Sequence, residues 1–229
     1  MSTAAPTTKD RLLDAAEQLF GDKGITATSL RDVTALANAN LASVNYHFGS
    51  KDSLLAAVFE RRFGPMNDRR LEILSEFQAE ADDRQVPLEK ILWAWLEPPF
   101  HMRHEAGDAG ERYMRVVSRV YADPTHSIHE LFLRQFETVR ERFHDALAAA
   151  LPTISPYEIT RRMHYCIGSL AHTFCWCQQI PSLCSTAGPQ TDEVLHSLVA
   201  FAAAGMRAPA DSDVLHELIG SANATESSR

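Results

Sequence analysis

The stretch from Ser29 to Lys51 restricts this chain more than any other, because it reads as two short helices meeting at one sharp corner. Ser29-Leu30-Arg31-Asp32 is a capping box with Asp in place of Glu, so a helix starts there. Leu30, Val33, Leu36 and Ala37 then recur on one face. Asn38-Ala39-Asn40 follows, in which Asn38 suits the left-handed conformation of a tight turn and Asn40 caps the next helix. That helix, Leu41 to about His47, is equally short and ends at Phe48-Gly49-Ser50. Ser50 caps a further helix from Lys51, with Leu54, Leu55 and Val58 facing inward. Upstream, Lys9 to Lys23 forms a first helix capped by Thr8, striped by Leu12, Ala16, Leu19 and Phe20, and stopped by Gly24.

Two short helices joined by a tight turn and buttressed by a longer one are the parts of a helix-turn-helix, whose second short helix enters the DNA major groove. The residue types fit. Ala42 keeps that helix slim, Ser43 and Asn45 can read base edges, and Tyr46 and His47 can donate to phosphates. Helix starts at Ser29 and Ser50 place positive partial charge near a phosphate, with Lys51 alongside. Net charge argues the other way: it is −8 for the chain. Residues 1–56 carry five Lys/Arg against six acids, so this region is not basic either. What distinguishes it is that no acid occurs between Asp32 and Asp52.

The rest of the chain also reads as helix, at about 66–83, 88–104, 109–122, 126–150, 156–180 and 191–206, with strand-type alternation absent. Gly64-Pro65 is expected to break or kink the fourth helix, and Asp123-Pro124 and Pro152 to Pro156 are further breaks. The polar N-terminus shows no secretory signal and no apolar run reaches membrane length, so the reading is a soluble, cytoplasmic chain without a membrane partner. Cys166, Cys175, Cys177 and Cys184 lack zinc-site or disulfide-framework spacing and read as free thiols; no metal and no cofactor is expected. The ten histidines are scattered, and neither a phosphate loop nor a nucleophile elbow occurs, so no catalytic residue is assigned.

Residues 9–63 resemble the N-terminal domain of TetR-family transcriptional regulators. The resemblance is carried by Arg11-Leu12-Leu13-Asp14-Ala15-Ala16, Gly24, Thr28-Ser29-Leu30-Arg31-Asp32-Val33, and Tyr46-His47-Phe48-Gly49-Ser50-Lys51-Asp52-Ser53-Leu54-Leu55, all in order. It implies an all-α, Ω-shaped homodimer with an N-terminal three-helix helix-turn-helix domain and a larger helical ligand-binding and dimerisation domain. The boundaries are 1–55, with an arm at 1–8, then 56–207, and a disordered tail at 208–229. It also implies a double-stranded DNA operator, with Thr28, Tyr46, His47 and Lys51 on phosphates and Asn40, Leu41, Ser43 and Asn45 facing bases. Ser29 and Arg31 complete the expected surface. Asn38, Ala42 and Asn45 depart from the family, which often has Gly, Gly and an aromatic there.

On the helix at 156–180, Ile159, Met163, Cys166, Leu170, Phe174 and Cys177 form one stripe; Tyr165, Gly168, Ser169, His172 and Trp176 form the adjacent face. With Ile167, Leu195, Leu198 and Ala202, the stripe residues Met163, Leu170 and Phe174 are read as a four-helix dimer interface, an intramolecular core being the alternative. The middle helices hold Trp93, Trp95, Phe100, Met102, Tyr113, Met114, Tyr121, Phe132 and Phe136, which with Arg115, Val117 and Phe174 can line an apolar ligand cavity. Arg112, Arg115 and Arg119 recur at helical spacing and could meet a carboxylate. Gly64-Pro65, Met114-Arg115 and Phe201 to Arg207 extend the likeness to the PsrA-type branch. That branch implies a repressor of lipid-metabolism genes with a fatty acid or acyl thioester as its small hydrophobic effector. The alternatives are a drug-efflux regulator answering aromatic or cationic compounds and, more remotely, an all-α enzyme or a helical adaptor.

Overall fold

The computed structural model describes residues 5–122, 126–176 and 190–209, and among these all regular structure is helical. The helices are α1 (Thr8–Lys23), α2 (Leu30–Leu36), α3 (Leu41–His47), α4 (Lys51–Ala81), α5 (Leu88–Glu105), α6 (Asp108–Ala122), α7 (His126–Arg134), α8 (Glu137–Ala150), α9 (Pro156–Trp176) and α10 (Gln190–Arg207). The expected disordered tail falls outside the described residues except for Ala208 and Pro209. So do Cys177, Cys184 and residues 177–180 of the expected ninth helix.

Local rules explain the first fifty residues. The N-cap of α1 is Thr7, not Thr8, because Asp10 stands three residues after Thr7 and closes a capping box. Asn38 takes φ +47° at the corner between α2 and α3, and Gly24 takes φ +92° after α1. Leu12, Phe20, Val33, Val44 and Leu54 are fully buried and join α1–α4 in one core.

The middle of the chain departs from expectation in two places. Gly64-Pro65 does not interrupt α4, which runs as one helix through Pro65. Proline removes one hydrogen bond and crowds the carbonyl four residues back. Phe59, Phe63, Met66, Asn67 and Arg70 are all buried on both sides of that point, and their packing holds the helix together. Conversely, the expected 126–150 helix is two helices. The chain turns at Gln135-Phe136, where the Asn67 side-chain amide donates to the Gln135 carbonyl and Phe136 enters the core.

Helix α6 joins α1 to α5, α7 and α9. It packs on α1 at Gly21, where an added Cβ would lie 3.0 Å from the Arg112 carbonyl oxygen. Beside it, Arg115 pairs with Asp22 at 3.5 Å, and Arg119 donates to the Asp22 carbonyl at 3.2 Å. The arginines at 115 and 119 therefore serve the C-terminus of α1, where carbonyls are unpaired and the helix dipole favours cations. They do not reach the interior. At the far end, Arg162 closes α10 in the same way, donating to the carbonyls of Gly205, Met206 and Ala208.

Candidate functional site

Helix α3 buries only Val44 and leaves the rest of its surface open. Leu41 is 43% exposed and Tyr46 85% exposed, while Ala42 and Asn45 are also exposed. Exposed apolar and aromatic side chains on a helix this short mark a surface awaiting a partner. Arg31 is exposed on α2, and His47 is half-buried at the end of α3, with its ring 5.0 Å from that of Tyr46. Lys51 reaches the Thr26 carbonyl at 3.3 Å, which draws the start of α4 onto the loop after α1.

Other expected DNA contacts, like Lys51, already hydrogen-bond within the chain. Thr28 is 2% exposed and its hydroxyl donates to the Gly24 and Leu19 carbonyls, so it belongs to the core and not to a phosphate-facing surface. The Asn40 side-chain oxygen accepts from the Ser43 amide at 2.8 Å and from the Ser43 hydroxyl at 3.0 Å. Both are tied up capping α3, which leaves Leu41, Asn45 and the Asn40 amide nitrogen facing outward.

Ser29 and Asp32 exchange hydrogen bonds at the start of α2. The Ser29 hydroxyl, and then its backbone amide, hold the Asp32 carboxyl below the usual carboxylate range. A folded value below the unfolded one means that this stabilisation is complete above about pH 4 and is lost as pH falls further. Ser29→Ala is expected to lower stability by about 1 kcal/mol near neutral pH. In denaturant titrations the gap between variant and parent should narrow below about pH 4; a gap independent of pH would refute the coupling.

A cavity of about 40 Å³ lies among α4, α5, α6, α7 and α9. Of the residues expected to line it, Trp95, Tyr113, Met114, Val117, Phe132, Phe136 and Phe174 do so. Trp93 instead stacks with His196 of α10 at 5.2 Å. Phe100 packs behind the wall on Phe174 at 4.7 Å, and Arg115 faces α1. The Tyr121 side chain lies outside the described residues. Phe63, Met66, Pro99, Ile167, Leu170 and Ala171 complete the apolar wall.

The polar member of the wall is Arg70, 1% exposed. Its Nε donates to the Trp95 carbonyl at 3.0 Å and its Nη1 to Asn67 Oδ1 at 2.7 Å. The guanidinium sits 4.8 Å from the Trp95 ring centroid and 5.5 Å from that of Phe136. Burial pulls it down to about 9, which leaves it charged at neutral pH. Tyr113 is pushed well above its ordinary value by the same desolvation. The sequence held a signal for Arg70 that motif reading passed over. Pro99 has no N–H for the carbonyl four residues earlier, so Pro98-Pro99 inside an apolar helix leaves the Trp95 oxygen needing an outside donor.

The stripe read as a dimer interface is turned inward. Met163, Leu170, Phe174, Leu195, Leu198 and Ala202 are buried within the chain, and Ile167 packs half-buried on its core. A helix has two faces, and hydrophobicity alone does not say which meets its own chain. The adjacent face stays open, with Tyr165 62% and Phe201 69% exposed. Cys166 is buried and free, its thiol pushed up by burial to about 11.

Residues 12–58 match the family described as bacterial regulatory proteins, tetR family, and residues 93–205 match the tetracyclin repressor-like C-terminal domain. The chain belongs to the TetR family of transcriptional regulators, which is not a family of enzymes. It is 28% identical over 100 residues to the HTH-type transcriptional repressor NicS of Pseudomonas putida, an alignment covering 44% of either chain. The chain thus spans under half the length of that relative. Among solved structures it resembles the fatty acid degradation regulator FadR from Bacillus halodurans, with a TM-score of 0.64 at 14% identity, covering 91% of this chain and 100% of that one. A complex of SmeT with triclosan gives a TM-score of 0.61 at 18% identity, covering 89% and 96%. At such identities the likeness concerns the fold alone.

Proposed function

We propose that this protein is a ligand-responsive, DNA-binding transcriptional repressor acting as a homodimer on a pseudo-palindromic operator. The observation that carries the reading is the open face of α3, where Leu41, Asn45 and Tyr46 project from a helix anchored only by Val44. Arg31, His47 and Lys51 flank it and no acid intervenes between Asp32 and Asp52. A second copy would cover the exposed face bearing Tyr165, Gly168 and Phe201, in place of the buried stripe.

The effector reading is a fatty acid or acyl thioester. The apolar wall supports a hydrophobic ligand, and a buried arginine disfavours a cationic one, because like charges in a low-dielectric site repel strongly. Of the second reading, a drug-efflux regulator answering aromatic or cationic compounds, the aromatic half alone is favoured, by the wall of Phe63, Trp95, Tyr113, Phe132 and Phe136. Either ligand would act on helices that span the molecule. Helix α4 carries Lys51 at one end and the cavity residues Phe63, Met66 and Arg70 further along; α6 lines the cavity and abuts α1.

The test is selection of bound sequences from a random DNA pool by the purified protein, followed by mobility-shift titration. An enriched inverted repeat is expected. Lys51→Ala should weaken binding to all sequences and flatten the salt dependence by about one unit per protomer, whereas Asn45→Ala should change which sequence is preferred. Absence of any enriched sequence, with no binding at low salt, would overturn the reading.

A further inference from the structure

Resting on the acyl-effector reading, we propose that the cavity takes a free carboxylate, anchored on Arg70, while the tail of the ligand runs outward past Ile167. Arg70 is a buried cation that forms no ion pair among the described residues. Two of its donors are engaged by neutral oxygens, of Trp95 and Asn67, and its Nη2 has no hydrogen bond among the described residues. Buried guanidinium groups are held against a high desolvation cost and ordinarily meet a carboxylate or phosphate. Two more buried donors on the same wall, Trp95 Nε1 and the Tyr113 hydroxyl, also lack a partner. An acceptor-rich head group would satisfy this set; an alcohol, an ester or a thioester brings no charge to it.

Volume decides where the rest of the ligand goes. The inner cavity is about 40 Å³, close to the space of one water molecule and far below that of an acyl chain. Next to it lies a groove of about 680 Å³ between α7, α8 and α9, within the range of ordinary ligand pockets. Trp95, Phe136 and Ile167 belong to both walls, so they form the partition between them. Leu133 and Met163 continue the apolar surface into the groove, which is otherwise lined by charged and polar side chains of α7, α8 and α9. A head group fills the inner space, and the tail crosses the partition.

Calorimetry of the full-length protein with sodium decanoate, decanol and decylamine compares three heads on one tail. Decanoate is expected to bind at least about 10-fold tighter than decanol, with decylamine weakest. Arg70→Met should equalise decanoate and decanol, and Ile167→Trp should remove the gain in affinity from butanoate to decanoate. Equal binding of decanol or decylamine by the parent protein overturns the proposal even if Arg70→Met does not fold. Retention of the carboxylate preference in folded Arg70→Met overturns it as well. Decanoate binding that leaves the selected DNA bound supports the head-group site and refutes the effector reading. Release of DNA by decanoyl thioester, with no preference for the acid, refutes the site and supports the effector reading.

Discussion

Phe63→Ala is expected to lower the free energy of unfolding by about 3–5 kcal/mol. Phe63 is 4% exposed, and its ring stands 5.1–5.7 Å from the rings of Phe136, Phe132 and Tyr113 in tilted or edge-on geometry. Each such pair contributes about 0.5–1.5 kcal/mol beyond the area it buries. Those partners come from α6, α7 and the turn between α7 and α8, each fixed elsewhere, so the space cannot collapse. Urea denaturation should show the loss as a shifted midpoint with little change in slope. The vacated space adjoins the existing cavity and is apolar, so benzene should raise the melting temperature of the variant and not of the parent. A loss below about 1 kcal/mol would mean that the aromatic cluster repacks and does not act as a rigid partition.

Glu17→Ala is expected to cost about 2–4 kcal/mol and to weaken DNA binding as well. Glu17 is 2% exposed on α1 and accepts from two arginines of α4: Arg61 Nη2 at 2.7 Å, Arg62 Nε at 3.0 Å and Arg62 Nη2 at 2.8 Å. Arg61 also holds Asp14 at 2.6 Å. Removing the acid strands two cations that were desolvated to meet it, and Arg61 Nε already has no partner among the described residues. The arginine side chains are about a fifth to a quarter exposed, so they can recover some hydration, which places the loss below that of a fully buried pair. Because the pair fastens the first helix to the helix that leads from Lys51 to the cavity, its loss should also uncouple ligand from DNA. Denaturation and mobility-shift measurements of one preparation test both halves. Unchanged stability would show that the pair merely balances its own desolvation, and intact ligand response would remove it from the coupling route.

The parts of this protein that its sequence announces are those governed by neighbours within a few residues. The box at Ser29 and Asp32, the left-handed Asn38, the cap at Asn40 and the cap at Ser50 stand in the structure where local rules put them. The exposure of Tyr46 and Asn45 follows from the same pattern, since Val44 alone points to the core.

Where reading the sequence fell short, packing between elements decided most outcomes. Thr28 is the local exception: its residue type suits a phosphate, yet the carbonyls of Leu19 and Gly24, nine and four residues back, claimed its hydroxyl. Arg115 and Arg119 had the spacing of a carboxylate site, and the end of α1 took them. The apolar stripe of α9 turned inward and left Tyr165 outside.

The sequence by itself determined an all-helical chain with a helix-turn-helix between Ser29 and Ser50, because caps, turns and 3.6-residue periodicity act over one or two turns of backbone. Only the tertiary structure decided that α4 runs unbroken through Pro65 and that Arg70, not Arg115, is the cation at the cavity. A buried charge is placed by whichever distant carbonyl and ring close around it, and no spacing along the chain records that encounter.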